Sequence, residues 1–462
     1  MKNISLKLCV LFLFLSNVVV AQMYSDFEKV LSKAKATKKP IWIFVQSKDC
    51  SICNEVGMAG LTKDAEIKNL LEEEYIFYAT TSVPTYLQLD TNVYYFPKAF
   101  FGMIVLNDAG NIIAVDHGTR NTAGYYSAFS NKIFNNLLNN EYSLQQQLYA
   151  FKSNPNNFAT SYRLLQTVFQ LSMEPATGFL TQVVQQAPAD SAQSFSFLQM
   201  LAHAAPVFQS PAFRYLHENE DVFNQSWYRL ILPIRVAING RIITKSMEQA
   251  ITDTNSAYAV QIAQFALGTF SNQRAAGIKK FDELLLQYYY GVGDTSQFLN
   301  RAVQYYDRYY TDAMIDSIHK ADSVYTARNQ NMLIEQFKKS LSDEAKKNGT
   351  FFVKQTIQIA PGGQRIANEL NNGAWQVYQF SNDAHYLNKA LKWSRQSISA
   401  ALSPENADTH AHILYKLGKK EVAIAWENTA IEEARKRNIS AQTFEKTLQK
   451  MQNSEVLNHS MR

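Results

Sequence analysis

Apolar and polar residues alternate along the first 140 residues with the periods of short helices and strands. Helical spacing covers Phe27 to Ala36, and the apolar run from Pro40 to Val45 predicts a buried strand. A second helix is predicted to begin at Ser51 and a third to cover Lys63 to Glu74, before a strand from Tyr75 to Ala79. This order of elements is typical of an α/β domain.

Two further apolar runs predict a β-hairpin. They cover Phe100 to Leu106 and Ile112 to Val115, and the turn sequence Asn107-Asp-Ala-Gly110 joins them. A last helix is predicted from Ala123 to about Leu138. A strand, a helix and a strand, followed by a hairpin and a helix, predict a mixed sheet covered on both faces. We expect this α/β domain to occupy residues 22–141.

From about Asn139 onward the strand pattern gives way to helix-period sequence broken by Pro and Gly. Near the C-terminus a repeat is visible: Ala390-Leu391-Lys392-Trp393 recurs as Ala423-Ile424-Ala425-Trp426, at an offset of 33 residues. Ser397-Ile398 recurs as Ala430-Ile431 at the same offset. Such a period predicts stacked helical hairpins.

The C-terminal repeat resembles the tetratricopeptide repeat over residues 371–437. The small residues Ala411, Gly418, Ala423 and Ala430 stand at the spacing of that family's consensus. The resemblance implies an all-α, tetratricopeptide-like region over residues 371–462 that binds a protein partner. Residues 142–370 are expected to form an irregular α-helical region.

The first 21 residues have the pattern of a secretory signal peptide. Lys2 and Lys7 precede an apolar run from Leu8 to Leu15, and Val19-Val20-Ala21 supplies a small residue at the expected cleavage position. The apolar run is short for a membrane crossing, and no later run is long enough. We therefore expect a periplasmic or secreted protein with no transmembrane span in the mature chain.

Composition and charge narrow the classes of function. Hydrophobic residues make up 46% of the chain and charged residues 18%, which is enough apolar surface for a folded core. The net charge is only +5, so a nucleic-acid partner is not expected. The glycine clusters Gly291-Val-Gly293 and Pro361-Gly-Gly363 lack the Lys-Ser/Thr of a phosphate loop. No cofactor is predicted.

The cysteine content points to one C-x-x-C pair. Of three cysteines, Cys9 lies in the signal-like run, which leaves Cys50 and Cys53 in the mature chain. Two cysteines exclude a multi-bridge scaffold and a four-cysteine zinc site.

The position of this pair between a predicted strand and a predicted helix suits thiol-disulfide exchange. A thiol at a helix N-terminus is stabilised as the thiolate by the helix dipole, and the thiolate is the nucleophile. Cys50 holds that position. Cys53, one helical turn later, can attack the mixed disulfide and release the product.

The N-terminal region resembles the thioredoxin superfamily, and in particular its exported bacterial members. The matching stretches are Lys39 to Cys53, Asp64 to Ile67 leading into Tyr75 to Tyr78, and Met103 to Gly110. The resemblance implies a thioredoxin-like α/β fold and a thiol-disulfide oxidoreductase, with Cys50 as nucleophile and Cys53 as resolving thiol. Its substrate or partner would be a protein thiol or disulfide.

Several residues depart from the family pattern and could modulate the pair. Asp49 replaces the usual Trp before the first cysteine, and its negative charge opposes formation of the thiolate, while Lys48 could offset it. Phe44 stands where the best-known members have a buried acid. The family's cis-proline faces the cysteines just before the third strand. Counting back from Gly110 puts Phe101 or Gly102 at that position, and Pro97, some residues earlier, is a candidate for the proline.

Three uses of the cysteine pair remain open from the sequence: redox exchange, an inert or vestigial structural disulfide, and metal binding. The first gives an exported oxidoreductase whose helices position a protein partner. The second gives a non-catalytic periplasmic adaptor.

Two other clusters favour structural roles. In Asp408-Thr-His410-Ala-His412 the histidines are two residues apart, so a helix points them to different faces, and no metal site is predicted. The tyrosines at 288–290, 305–306 and 309–310 suit packing between helices, with a groove for a peptide or glycan as the alternative.

Overall fold

The computed structural model describes residues 27–48, 51–87, 90–97, 100–120, 122–138, 144–218, 220–340, 361–437 and 439–457. The predicted signal peptide at residues 1–21 lies outside them. The chain forms two compact units, Met1–Lys245 and Ser246–Arg462. Among the described residues, no helix has both the length and the apolar character needed to cross a membrane.

The first unit begins with an α/β region. Its helices are α1 (Phe27–Thr37), α2 (Ser51–Thr62), α3 (Ala65–Glu74) and α4 (Ala123–Leu138), and its strands are β1 (Ile41–Val45), β2 (Ile76–Thr80), β3 (Tyr94–Tyr95), β4 (Gly102–Leu106) and β5 (Ile112–His117). The predicted elements are present with ends shifted by at most two residues. Strand β3 is an addition, because it lies where the sequence predicts a loop.

Four of these strands form one mixed sheet in the order β2-β1-β4-β5. Strand β1 is parallel to β2 and antiparallel to β4, and β4 is antiparallel to β5. The hairpin turn closes as its sequence predicts, with the Gly110 N–H donating to the Asn107 carbonyl oxygen at 3.0 Å. The expectation of a mixed sheet is therefore confirmed.

Both faces of the sheet are buried. Successive side chains of a strand point to opposite faces, and every residue of β1 is apolar and buried. Trp42 and Phe44 join a core with residues of α2, α3 and α4. Ile41, Ile43 and Val45 face a second core that includes residues of α1. The sheet thus has a helical layer on each side, as its apolar strands predict.

The second core extends into the helices that follow the α/β region. These are α5 (Leu144–Ser153), α6 (Phe158–Gln170), α7 (Thr177–Gln186), α8 (Phe195–His203), α9 (Pro211–His217) and α10 (Glu220–Trp227). Their buried residues share one hydrophobic cluster with the sheet. A two-residue strand, β6 (Glu174–Pro175), also pairs antiparallel with β3. The prediction that no strand follows Asn139 is therefore wrong for β6. A strand of two residues is too short to show the alternation of apolar and polar residues that predicts a strand.

Helix α11 (Leu232–Thr252) runs across the division between the units, and the second unit is all-α. Its helices are α12 (Ser256–Gly268), α13 (Arg274–Gly291), α14 (Thr295–Tyr309), α15 (Asp312–Ser340), α16 (Pro361–Phe380), α17 (Ala384–Ala400), α18 (Pro404–Lys416), α19 (Lys420–Lys436) and α20 (Gln442–Gln452). The chain therefore has an α/β N-terminal part and an all-α C-terminal part, as predicted at that level.

The small residues of the C-terminal repeat are buried where helices approach. Ala390, Ala411, Ala423 and Ala430 are all 0% exposed. Gly418 follows α18 with a φ of +76°, and its N–H donates to the Tyr415 carbonyl oxygen at 2.9 Å. The repeat alanines are therefore buried in the packing of these helices, and Gly418 forms the turn between α18 and α19.

The predicted tyrosine cluster is part of the core of the second unit. Tyr288, Tyr305, Tyr306 and Tyr310 are buried. The ring of Tyr306 lies 4.7 Å from that of Trp393 and 5.7 Å from that of Tyr310, measured between centroids. This arrangement agrees with packing between helices.

Candidate functional site

The segment that carries the cysteines joins β1, an interior strand of the sheet, to α2. Helix α2 begins at Ser51. Of the predicted site residues, Asp49 and Cys50 lie outside the described residues. Lys48 is exposed at the end of the described part of this segment, and Cys53 is half-buried in the first turn of α2.

Cys53 is disulfide-bonded. The chain has three cysteines, and the other two, Cys9 and Cys50, lie outside the described residues. The Cys53 carbonyl oxygen also accepts a hydrogen bond from Thr119 Oγ1 at 2.8 Å. Thr119 follows β5, so this contact joins the start of α2 to the far end of the hairpin.

The side chain of Asn54, in α2, forms hydrogen bonds with the backbone of Ser47 in the segment that precedes the helix. Its Oδ1 accepts from the Ser47 N–H at 2.7 Å, and its Nδ2 donates to the Ser47 carbonyl oxygen at 2.9 Å. The two bonds hold the residues on either side of positions 48–53 together. Neither Asn54 nor Thr119 was predicted from the sequence, because single polar side chains carry no periodic signal and Thr119 is 66 residues away from Cys53 along the chain.

Phe44, which stands where the resemblance would place a buried acid, packs beneath α2. Its side chain is 0% exposed, and it lies close to Gly57 of the helix. A Cβ at Gly57 would lie 2.7 Å from Thr119 Cγ2 and 2.8 Å from Phe44 Cζ. Gly57 is therefore a contact point between α2 and the sheet, which explains a residue that helix propensity alone disfavours.

Pro97 does not supply the cis-proline that the resemblance implies. The described residues contain no cis peptide bond. The Pro97 carbonyl oxygen instead accepts from the Phe100 N–H at 2.8 Å in a turn before β4. The residue paired with Val45, at the end of β1, is Gly102.

Residues 118–120, which follow β5, are bonded to α4. The Arg120 N–H donates to Tyr126 Oη at 3.1 Å, and Tyr126 Oη donates to the Arg120 carbonyl oxygen at 2.9 Å. Burial raises the pKa of Tyr126, so its hydroxyl stays protonated and can make both bonds. Tyr126, a buried residue of α4, thus holds the segment from which Thr119 donates a hydrogen bond to the Cys53 carbonyl oxygen.

A second cluster of polar groups lies in the all-α unit. Asp408 and His412 of α18 approach Glu427 of α19, and one ligand atom of each lies within 4.8 Å of the others. His412 Nδ1 is 3.3 Å from Asp408 Oδ1 and 2.9 Å from the Asp408 carbonyl oxygen. Glu427 is 0% exposed.

The Glu427 carboxyl group meets no hydrogen-bond donor in the described residues. The facing Asp408 carboxylate is itself an acceptor, so it offers the Glu427 carboxyl group no donor. Burial, with the negative charge of Asp408, raises the pKa of Glu427 to about 9. Burial alone would lower the pKa of His412, but its contacts with Asp408 outweigh burial and raise that pKa.

The structure places the two predicted histidines apart, as their spacing requires. His410 Nδ1 lies 3.1 Å from Ser394 Oγ, and its ring is 4.9 Å from that of Trp426. His412 instead packs against Trp375 and Tyr378. The pair that the structure brings together is Asp408 and His412, which are four residues apart on one face of α18, and Glu427 approaches them from α19.

In comparisons with known proteins, no protein-family model matches this chain, and no curated protein has a similar sequence.

Proposed function

We propose that this protein is an exported thiol-disulfide oxidoreductase of thioredoxin type, with Cys50 as nucleophile and Cys53 as resolving thiol. The observation that carries the proposal is the disulfide at Cys53, in the first turn of the helix that follows an interior strand. Helix α2 begins at Ser51, so Cys50 directly precedes it in the sequence, at the place where a helix N-terminus lowers the pKa of a thiol and activates it.

The fold of the α/β region supports the proposal. A mixed sheet, a helix directly after β1, a C-terminal hairpin and a last helix are what the resemblance to the thioredoxin superfamily implies. The two bonds of Asn54 to Ser47 and the Thr119 bond to Cys53 hold the motif on this scaffold. A rigid support keeps both sulfurs positioned for exchange.

The exchange takes place in two balanced steps. The Cys50 thiolate attacks one sulfur of a client disulfide, forms a mixed disulfide and releases one client thiolate. The Cys53 thiolate then attacks Cys50 Sγ, which forms the Cys50–Cys53 disulfide and releases the second client thiolate. Two electrons pass from the cysteine pair to the client, and the reverse sequence oxidises a client dithiol.

The helical parts would select the client. The described part of residues 371–462 in the all-α unit is mainly helical, as the resemblance of the sequence repeat to the tetratricopeptide repeat implies, and repeats of stacked helix pairs present extended surfaces to proteins. We therefore assign to it the binding or positioning of a protein partner. The signal-like N-terminus places this activity in the periplasm or outside the cell, where disulfides persist.

A non-catalytic adaptor with a structural disulfide is the second candidate function. The buried Phe44 favours it, because an apolar ring under α2 leaves no carboxylate at that position to accept a proton during exchange. The helical surfaces would then bind a partner without redox chemistry.

Trapping in the native envelope separates the two functions. A Cys53→Ser variant keeps the attacking thiol but cannot resolve the mixed disulfide, so clients should accumulate on Cys50. The Cys50→Ser/Cys53→Ser double variant is the matched control and should trap none. Mixed disulfides with the single variant alone support the oxidoreductase, and an empty trap favours the adaptor.

The reduction potential of the purified protein gives a second readout. A structural disulfide lies below about −300 mV, whereas a pair that exchanges with clients lies higher. A value below that limit would contradict the oxidoreductase.

A further inference from the structure

Three potential metal ligands converge between two adjacent helices of the second unit, far along the chain from the cysteines. Asp408 and His412 are one helical turn apart on α18, and Glu427 reaches them from α19. His412 and Glu427 are 2% and 0% exposed. The cluster is therefore part of the interior of the repeat, where solvated surface acids are not found.

The buried carboxyl group of Glu427 points to a missing cation. Neither of its oxygens meets a hydrogen-bond donor, and its neighbour Asp408 adds a second negative group. Within the described part of the chain, no lysine or arginine forms an ion pair with either carboxylate. Burying a carboxylate without a donor or counter-charge is costly, so a proton or a metal ion must compensate it.

The donor set indicates the kind of metal. One imidazole nitrogen and two carboxylate oxygens suit Zn²⁺ and similar first-row divalent ions, whereas Ca²⁺ and Mg²⁺ prefer oxygen ligands alone. Ligands of a tetrahedral Zn²⁺ lie about 3.4 Å apart, as their bond lengths of about 2.1 Å require. The ligand atoms of Asp408, His412 and Glu427 lie within 4.8 Å of one another, so binding of Zn²⁺ would require them to move closer together.

We propose that Asp408, His412 and Glu427 bind one divalent transition-metal ion, with Zn²⁺ as the best fit, and that the ion fastens α18 to α19. A water molecule completes the coordination. His412 Nδ1, which faces Asp408 Oδ1, is the nitrogen ligand, and coordination replaces its contact with the Asp408 carbonyl oxygen. This site is independent of the redox function, because the cysteines belong to the first unit.

Metal titration of the full, oxidised chain tests the site. Oxidation keeps cysteine thiols from binding metal. Equilibrium dialysis with Zn²⁺ should give one tightly bound ion per chain, and Co²⁺ should give the visible absorption of a low-coordinate N/O site. Added Zn²⁺ should also raise the midpoint of thermal unfolding.

Two sets of variants locate the ion. Glu427→Gln and His412→Ala should each weaken Zn²⁺ binding by at least tenfold and remove the thermal shift. Glu432→Gln, on the exposed face of the same helix, and His385→Gln, at an exposed histidine of α17, should bind as the unaltered chain does. Circular dichroism of each variant without metal shows that it is folded.

Failure of the unaltered chain to bind Zn²⁺ or Co²⁺ would overturn the proposal. So would tight binding that Glu427→Gln and His412→Ala leave unchanged, because the ion would then lie on surface histidines. Loss of binding in the His385→Gln control would do the same. None of these results bears on the trapping experiment, so the two proposals fail separately.

Discussion

At the scale of single residues, short polar side chains decide how the cysteine segment is held. Asn54 is half-buried and uses both ends of its amide on the backbone of Ser47. Because Asn54 follows Cys53 directly, the clamp spans the whole segment that links β1 to α2. Two hydrogen bonds therefore fix Ser47 to the first turn of α2.

Removing the clamp should loosen the segment without disrupting the core. We expect Asn54→Ala to lower the free energy of unfolding of the oxidised protein by about 1–2 kcal/mol, because two hydrogen bonds are lost. The disulfide should also react faster with dithiothreitol. Urea unfolding and the rate of reduction measure the two effects.

Asn54→Asp is the matched control. It keeps the acceptor for the Ser47 N–H and loses the donor to the Ser47 carbonyl oxygen, so its effects should be smaller than those of Asn54→Ala. Equal rates of reduction in all three proteins would show that the clamp does not restrain the segment.

At the scale of elements, the short strand β6 connects the α/β region to the helices that share its core. It pairs with β3, and its Glu174 is bonded to two cations of α11. Glu174 Oε2 lies 2.6 Å from Arg241 Nη2 and 2.5 Å from Lys245 Nζ. Burial alone would raise the pKa of Glu174, but the charges of Lys245 and Arg241 outweigh it and hold that pKa below its usual value.

A lowered pKa makes this contact a source of stability that acid removes. The contribution is fully present above the usual pKa of 4.5 and is lost as the pH falls through the lower pKa of the folded state. We expect Glu174→Gln to destabilise the first unit by about 3 kcal/mol at pH 7, because Lys245 and Arg241 lose their counter-charge. Below pH 4.5 the difference should shrink.

Chemical unfolding of both proteins between pH 3 and pH 7 measures this dependence. Glu218→Gln, at an exposed glutamate of the same unit, should change neither the stability nor its pH profile. A destabilisation by Glu174→Gln that stays constant across that range would contradict the assignment to charge.

At the scale of the whole molecule, each compact unit has its own hydrophobic core. The first unit buries both faces of the sheet, and the second buries its tyrosines, Trp393 and the repeat alanines. A unit with a complete core can fold alone. The sequence boundary expected near residue 141 marks the end of the α/β region, and the first compact unit continues to Lys245.

The second unit should fold when it is produced alone as residues 246–462. We expect a helical circular dichroism spectrum and one cooperative urea transition, because the core residues from Leu286 to Met451 are all retained. A fragment of residues 1–141 should be unstable by comparison, since it lacks the helices that cover one face of the sheet. A stable, cooperatively folded 1–141 fragment would contradict the shared core.

The sequence by itself determined the helices and the four sheet strands of the α/β region and the order in which they occur, together with the helical character of the chain that follows. The run of apolar residues in β1 predicts that both of its faces are buried. Gly110 and Gly418 predict a turn and a helix end, because glycine favours the positive φ angles that these positions require. The cysteine motif was placed between a strand and a helix by local patterns of the same kind.

Only the tertiary structure decided which distant residues meet. It brought Thr119 to Cys53, placed Glu427 against Asp408 and His412, and packed helices α5 to α10 on the sheet. It also put Gly102 opposite Val45 at the end of β1, a position for which the count back from Gly110 left Phe101 or Gly102. Such contacts depend on which faces of the helices and the sheet pack together. The hydrophobic period of an element predicts which of its faces is buried, but it does not predict which element that face packs against.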